Sequence, residues 1–234
     1  MQNNNRYAVI LDMDGLMIDT EPLYKYALQK TAQEFGYTLT DNFMMRLVGR
    51  PDSDCRRMIA AHLGPDFPLQ SFWKQWPLLW RSEALSNGIK QKPGLPELLS
   101  FLTKRRIPAA IATSSSRRQA FFSLDAANIN HPFDHFVTVD EVEKGKPAPD
   151  IFLKAAKRLE THPKFCIALE DSENGIRAAS SAGMHTIMVP DMIQPSEDIR
   201  NKTNFLASSL HEAKDHICDI ITGKIPLDKP SGGI

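Results

Sequence analysis

The chain has 234 residues, and its 28 Lys plus Arg balance 28 Asp plus Glu, a length that suits one core domain with a modest insertion. Neutral charge excludes long-range attraction to nucleic acid or an anionic membrane, and no apolar run approaches the roughly 20 residues that span a bilayer. The opening MQNNNRY lacks the apolar stretch of a signal peptide, and Cys55, Cys166 and Cys218 are too scattered for a metal site, so the expectation is a cytoplasmic monomer with reduced, buried thiols.

The first element is Tyr7-Ala-Val-Ile-Leu11, a short apolar run that meets an acidic, glycine-containing loop at Asp12, as a buried parallel strand does. A long helical stretch follows. Glu21 to Phe35 carries Leu23, Ala27, Leu28, Ala32 and Phe35 near a helical repeat, Arg56 to Leu63 is a shorter piece, and Trp73, Trp76 and Trp80 recur at helical spacing as a packing stripe. Turn formers at Asn87-Gly88 and Lys92-Pro93-Gly94 return the chain to the first domain. Apolar runs then recur at Pro108–Ala112, Phe136–Val139, Phe165–Leu169 and His185–Val189 with helical stretches between most of them, which predicts an open α/β sheet. Residues 1–19 and 91–225 form this core, residues 20–90 a helical insertion, and residues 226–234 a loose tail.

Four polar clusters follow the predicted strands or their loops. Asp12-Met13-Asp14-Gly15 ends the first strand, where parallel sheets form their ligand crevice. A carboxylate is already unprotonated at neutral pH, so Asp12 can attack phosphorus without a base. Asp14 is placed to protonate the leaving oxygen and later deprotonate water. Two carboxylates and a phosphate repel one another, which calls for a hard, oxygen-binding cation; magnesium is the expectation, with further ligands from Glu170-Asp171. Thr113-Ser114-Ser115-Ser116 offers a hydroxyl and helix-opening amides for phosphate oxygens. Lys146, between Gly145 and Pro147, can neutralise the nucleophile and the transferring group. Each cluster alone reads as a turn, a helix cap or a solvated charge; their joint occurrence in this order points to catalysis.

Asp12-Met-Asp-Gly15, Thr113, Lys146 and Glu170-Asp171 resemble, in order, the motifs of the haloacid dehalogenase superfamily. Asp12 to Glu21, Gly145-Lys-Pro-Ala-Pro-Asp150 and Leu169-Glu-Asp-Ser-Glu-Asn-Gly175 are similar to its β-phosphoglucomutase-like, sugar-phosphate phosphatase branch. The resemblance implies a Rossmann-like core with a helical cap inserted after the first strand. By the same resemblance Asp12 is nucleophile and magnesium ligand, Asp14 is acid-base and lends a backbone carbonyl to the metal, and Asp171 completes the protein ligands with Glu170 nearby. Thr113 becomes the phosphate hydroxyl, Ser114 an amide donor and Lys146 the charge clamp.

Asp14, two positions after the nucleophile, favours phosphate esters over the family's dehalogenase and phosphonate reactions. In the mutase pattern a cap arginine falls on Asp52, its preceding lysine on Val48 and a hinge histidine on Tyr24, which favours hydrolysis over mutation. The expectation is a phosphatase for a small phosphorylated metabolite, a sugar or polyol phosphate. A phosphosugar mutase and a non-catalytic sugar-phosphate binder are the alternatives.

Overall fold

The strand β1 (Ala8–Leu11) is buried along its whole length and lies at the centre of a parallel six-stranded sheet. The computed structural model describes residues 7–50, 52–129, 133 and 135–227. Its chain divides into two units, Met1–Asp19 with Lys90–Ile234, and Thr20–Ile89.

The second unit is helical: α1 (Glu21–Glu34), α2 (Asp41–Met45), α3 (Asp52–Leu63) and α4 (Leu69–Asn87). Pro22 suits the first turn of α1, where its missing N–H has no helical partner to lose. The face carrying Ala27, Leu28 and Ala32 is buried, as the spacing predicts. Thr40 caps α2 by accepting the Phe43 amide at 3.3 Å. Leu28, Ala32, Leu39, Phe43, Ile59 and Phe72 form the core of this unit, and Trp73 and Trp76 pack against it. Trp80 is buried and stacks on Tyr24 at 5.2 Å, so the tryptophan stripe packs within the unit.

The sheet unit continues through α5 (Leu95–Arg105), β2 (Ala109–Thr113), α6 (Arg117–Ala126), β3 (His135–Thr138), α7 (Asp150–Arg158), β4 (Cys166–Glu170) and α8 (Glu173–Ser181). It closes with β5 (His185–Met188), α9 (Glu197–Lys202), β6 (Phe205–Leu206) and α10 (Leu210–Ile221). Strand order is β3-β2-β1-β4-β5-β6. This is the α/β architecture with a helical insertion after the first strand that the motifs imply.

Small side chains set the packing. Ala110, Ala112 and Ala168 from the sheet share one cluster with Ala155 and Ala156 of α7 and Ala178 and Ala179 of α8. Alanine costs little side-chain entropy in a helix and lets backbones approach closely, while Ile10, Ile151 and Phe152 supply the larger apolar area. Burying each such large side chain contributes about 1.5–3 kcal/mol.

Strand bounds differ slightly from the apolar runs. β2 starts after Pro108, which has no N–H for the ladder but accepts the Val9 amide at 2.9 Å, and it runs on through Thr113. β4 likewise runs through Glu170, a fully buried charge inside a strand. Neither α2 nor β6 has a distinctive apolar signal. Of the expected tail, 228–234 lies outside the described residues. No helix among the described residues is long and apolar enough to cross a membrane.

His185 opens β5 and is buried. Its Nδ1 lies 3.2 Å from the Leu227 carbonyl and must donate there, so its Nε2 accepts from His216 Nε2 at 3.2 Å. Burial pushes His185 down to about 4 and also lowers His216. The unfolded chain therefore binds more protons than the native one between pH 6.5 and 4, and stability falls as pH drops through that window. Denaturant titrations from pH 7.5 to 4 are expected to show about 3 kcal/mol lost to His185, a slope that His185→Gln flattens.

Candidate active site

Adjacent parallel strands deliver the clusters to one edge of the sheet. β1 pairs with β2 on one side and β4 on the other, and the Asp12 amide extends the ladder by donating to the Leu169 carbonyl at 3.0 Å. The carboxyl ends of these three strands therefore carry Asp12, Thr113 and Glu170 side by side, where open α/β sheets bind ligands. All three side chains are buried.

Lys146 reaches in from the segment before α7. Its Nζ donates to Asp12 Oδ1, to Glu170 Oε1 at 2.5 Å and to the Ala112 carbonyl at 2.9 Å, which satisfies all three ammonium protons. Glu170 Oε2 accepts from the Ser172 amide at 3.3 Å and its hydroxyl at 3.0 Å. Glu170 thus holds Lys146 as well as lying within the acidic group. Asp14 Oδ2 accepts from Ser115 Oγ at 2.8 Å, and the Ser115 amide donates to Thr113 Oγ1 at 3.0 Å. Ser114 is exposed between them.

Asp12, Glu170 and Asp171 each offer a carboxylate oxygen, all within 4.8 Å of one another. Two glycines make this crowding possible. A Cβ on Gly15, whose φ is +86°, would lie 2.4 Å from Asp171 Oδ2, and one on Gly175 would lie 1.8 Å from Glu170 Cδ. Ser172 and Ser116 cap the helices that start here, accepting the Gly175 and Gln119 amides.

The electrostatics follow from the burial. Burial pushes the Asp12 carboxyl up to about 8; Lys146 opposes the rise, while Glu170 and Asp14 add to it. Asp171 is driven well above the usual carboxylate range by burial first, then by Asp12 and Glu170. Burial alone would lower Lys146, but Asp12 and Glu170 outweigh it and hold the ammonium above the ordinary lysine value. These directions oppose each other across one ion pair. The lysine's is the one the geometry fixes, because every proton it carries has an acceptor. Asp12, Asp14, Glu170 and Asp171 together exceed what one ammonium can neutralise, and an all-oxygen donor set of this kind fits a hard divalent cation.

Sequence spacing did not reveal several supporting residues. Ser115 orients Asp14, and Ser172 orients Glu170. Lys92 Nζ bridges Asp19 at 3.1 Å and Asp191 at 2.6 Å. Asp191 follows the end of β5, a strand-end position that could have marked it. Arg117, which follows the Thr113-Ser114-Ser115-Ser116 cluster, lies over the Phe121 ring at 5.0 Å with an exposed side chain. His62 stacks on Phe43 in the helical unit, and His131 lies outside the described residues.

Fold and site together define an enzyme of the parallel α/β class, with its charged machinery at the sheet's carboxyl edge. The chain belongs to the haloacid dehalogenase-like hydrolase family, whose profile matches residues 9–189. The phosphorylated carbohydrates phosphatase of Thermotoga maritima is 36% identical over 180 residues, 77% of this chain and 83% of that protein. A provisionally named pseudouridine-5'-phosphatase of Drosophila melanogaster is 34% identical over 215 residues, 85% of this chain and 88% of its own. A solved structure from Thermotoga maritima, provisionally called a β-phosphoglucomutase, matches with a TM-score of 0.79 at 30% identity, over 92% of this chain and 99% of that one.

Gly175→Ala tests the crowding. An exposed helix would gain roughly 1 kcal/mol from the change, whereas overpacking costs about 1–3 kcal/mol. The neighbour is the Glu170 carboxylate, pinned by Lys146 and Ser172, which puts the cost at the top of that range, so the expected result by urea denaturation is a net loss of about 2 kcal/mol.

Proposed function

We propose that this family member is a magnesium-dependent phosphatase that hydrolyses a small phosphomonoester, a sugar or polyol phosphate, through a phosphoryl ester on Asp12. The observation that carries this reading is Asp12 itself, a buried carboxylate at the end of the central strand, ion-paired to Lys146 and flanked by further acids. The carbohydrate phosphatase among the relatives supports the substrate class.

In the first step an Asp12 carboxylate oxygen attacks phosphorus, the bond from phosphorus to the ester oxygen breaks, and Asp14 gives its proton to that oxygen. In the second step Asp14 takes a proton from water as the water oxygen attacks the same phosphorus. The bond to Asp12 breaks, and inorganic phosphate leaves. Ser115 holds the Asp14 carboxyl in orientation for both transfers. Thr113 Oγ1 already accepts the Ser115 amide, which leaves its own proton to donate to a phosphoryl oxygen, and the Ser114 amide serves a second. Lys146 neutralises charge on the phosphoryl group as it moves.

Asp12, Asp171 and the main-chain carbonyl of Asp14 would hold the magnesium ion, with Glu170 beside them; bound there, it supplies positive charge against phosphate and carboxylates. In this reading residues 20–90 are a specificity-determining cap domain, and residues 1–19 and 91–225 are the core domain. The free thiols Cys55, Cys166 and Cys218 fit a reducing compartment, so the enzyme is assigned to the cytoplasm, acting as a monomer.

The test is phosphate release from a panel of phosphorylated sugars, polyols and nucleotides, with magnesium or with EDTA. Release that needs magnesium is expected, strongest for one carbohydrate class. Asp12→Asn keeps the shape, loses the nucleophile, and is expected to lower kcat by roughly four orders of magnitude. Conversion of β-glucose 1-phosphate to glucose 6-phosphate without release would replace this reading with a mutase. Binding without any turnover would replace it with a sugar-phosphate binder.

A further inference from the structure

We propose that Glu141, Lys154 and Arg158 form a clamp that positions Lys146 for the chemistry, an inference that rests on the phosphatase reading. Lys146 lies in the stretch 142–149, between a single 3-10 turn at Val139–Glu141 and the start of α7. Both ends of that stretch are tied together. Lys154 and Arg158, one helical turn apart on α7, face the turn: Lys154 Nζ donates to the Glu141 main-chain carbonyl, and Arg158 donates to the Glu141 carboxylate and to the Phe136 carbonyl of β3. Glu141 Oε1 also accepts from the Thr138 amide at 3.1 Å and the Thr138 hydroxyl at 3.3 Å. A single carboxylate therefore joins the end of β3, the turn and the second half of α7. Within the closed stretch the Ala148 amide donates to the Gly145 carbonyl at 3.0 Å, and the Phe152 ring of α7 lies 5.2 Å from Lys146 Nζ.

The catalytic cycle explains why such a restraint matters. One of the three acceptors of Lys146 is Asp12, which changes from a carboxylate to a phosphoryl ester and back at each turnover. When the carboxylate becomes an ester its charge passes to the phosphoryl oxygens, and of the three resting acceptors only Glu170 and the Ala112 carbonyl stay unchanged. A backbone fixed at both ends keeps the ammonium in place while its counter-ion is changed. Glu141 and Arg158 are partly exposed, 20% and 32% by side chain, whereas Lys146 is 5% exposed. The clamp accordingly works from outside the reacting centre, through the main chain.

Arg158→Met in the full chain tests this. Steady-state kinetics are expected to show kcat reduced about tenfold with KM within about twofold, the pattern of a displaced charge rather than a lost substrate contact. Hydrogen exchange at the backbone amides of 142–148 is expected to speed up about tenfold while those of α8 keep their wild-type rates, and Arg158→Lys should recover most of both changes. Unchanged exchange at 142–148 in a folded Arg158→Met protein overturns the clamp. So does an unchanged kcat, or an acceleration spread evenly over the core. If Arg158→Met does not fold, Glu141→Gln, which removes the charge at the same shape, is read by the same criteria. A wild-type chain that releases phosphate from no compound overturns the phosphatase reading alone, and the exchange measurement still decides the clamp.

Discussion

A single ammonium group buried among carboxylates is the constraint around which this molecule is arranged. Lys146 meets Asp12 and Glu170, which sit on neighbouring strands and are held in line by the β1–β4 ladder. Removing one partner of such a buried pair strands the other at a cost of roughly 3–5 kcal/mol. The surroundings follow from that requirement. Gly15 and Gly175 leave out the side chains that would displace the acids, Ser172 uses up the remaining oxygen of Glu170, and alanines let α7 and α8 approach the sheet.

The ammonium offsets only part of the charge that the site gathers. Burial first, and then the neighbouring acids, press Asp12 and Asp171 upward, so this edge suits a divalent cation, which also offsets the repulsion that a ligand with its own anionic group would meet there. The chain as a whole is neutral, so attraction for such a ligand is confined to this edge.

The parts of the site that were legible in the sequence are those where local pattern coincides with function. Apolar runs that stop at Asp12, before Thr113 and before Glu170-Asp171 mark strand ends and, with them, residues that the structure gathers in one polar cluster. The family resemblance read from these motifs agrees with the profile match over residues 9–189. Less legible were features made by tertiary pairing. Glu170 lies inside β4 because a lysine 24 residues away neutralises it, and spacing along the chain carries no sign of that bond. Ser115 on Asp14 spans 101 positions, and Lys92 on Asp191 spans 99. The strand β6 is two residues long and half exposed, too short to show a period.

The two chain segments that lead into and out of the helical unit run together: the Asp19 amide donates to the Lys90 carbonyl at 2.8 Å, and Ile18 bridges Gln91. A segment whose two ends are already neighbours behaves as a detour rather than a link in the sheet. Its length and content can change without altering the register of any strand, because lengthening such a loop adds closure entropy only slowly. Variation can accumulate in residues 20–89 while the strand-end charges stay fixed, which gives this architecture two surfaces that are free to diverge at different speeds.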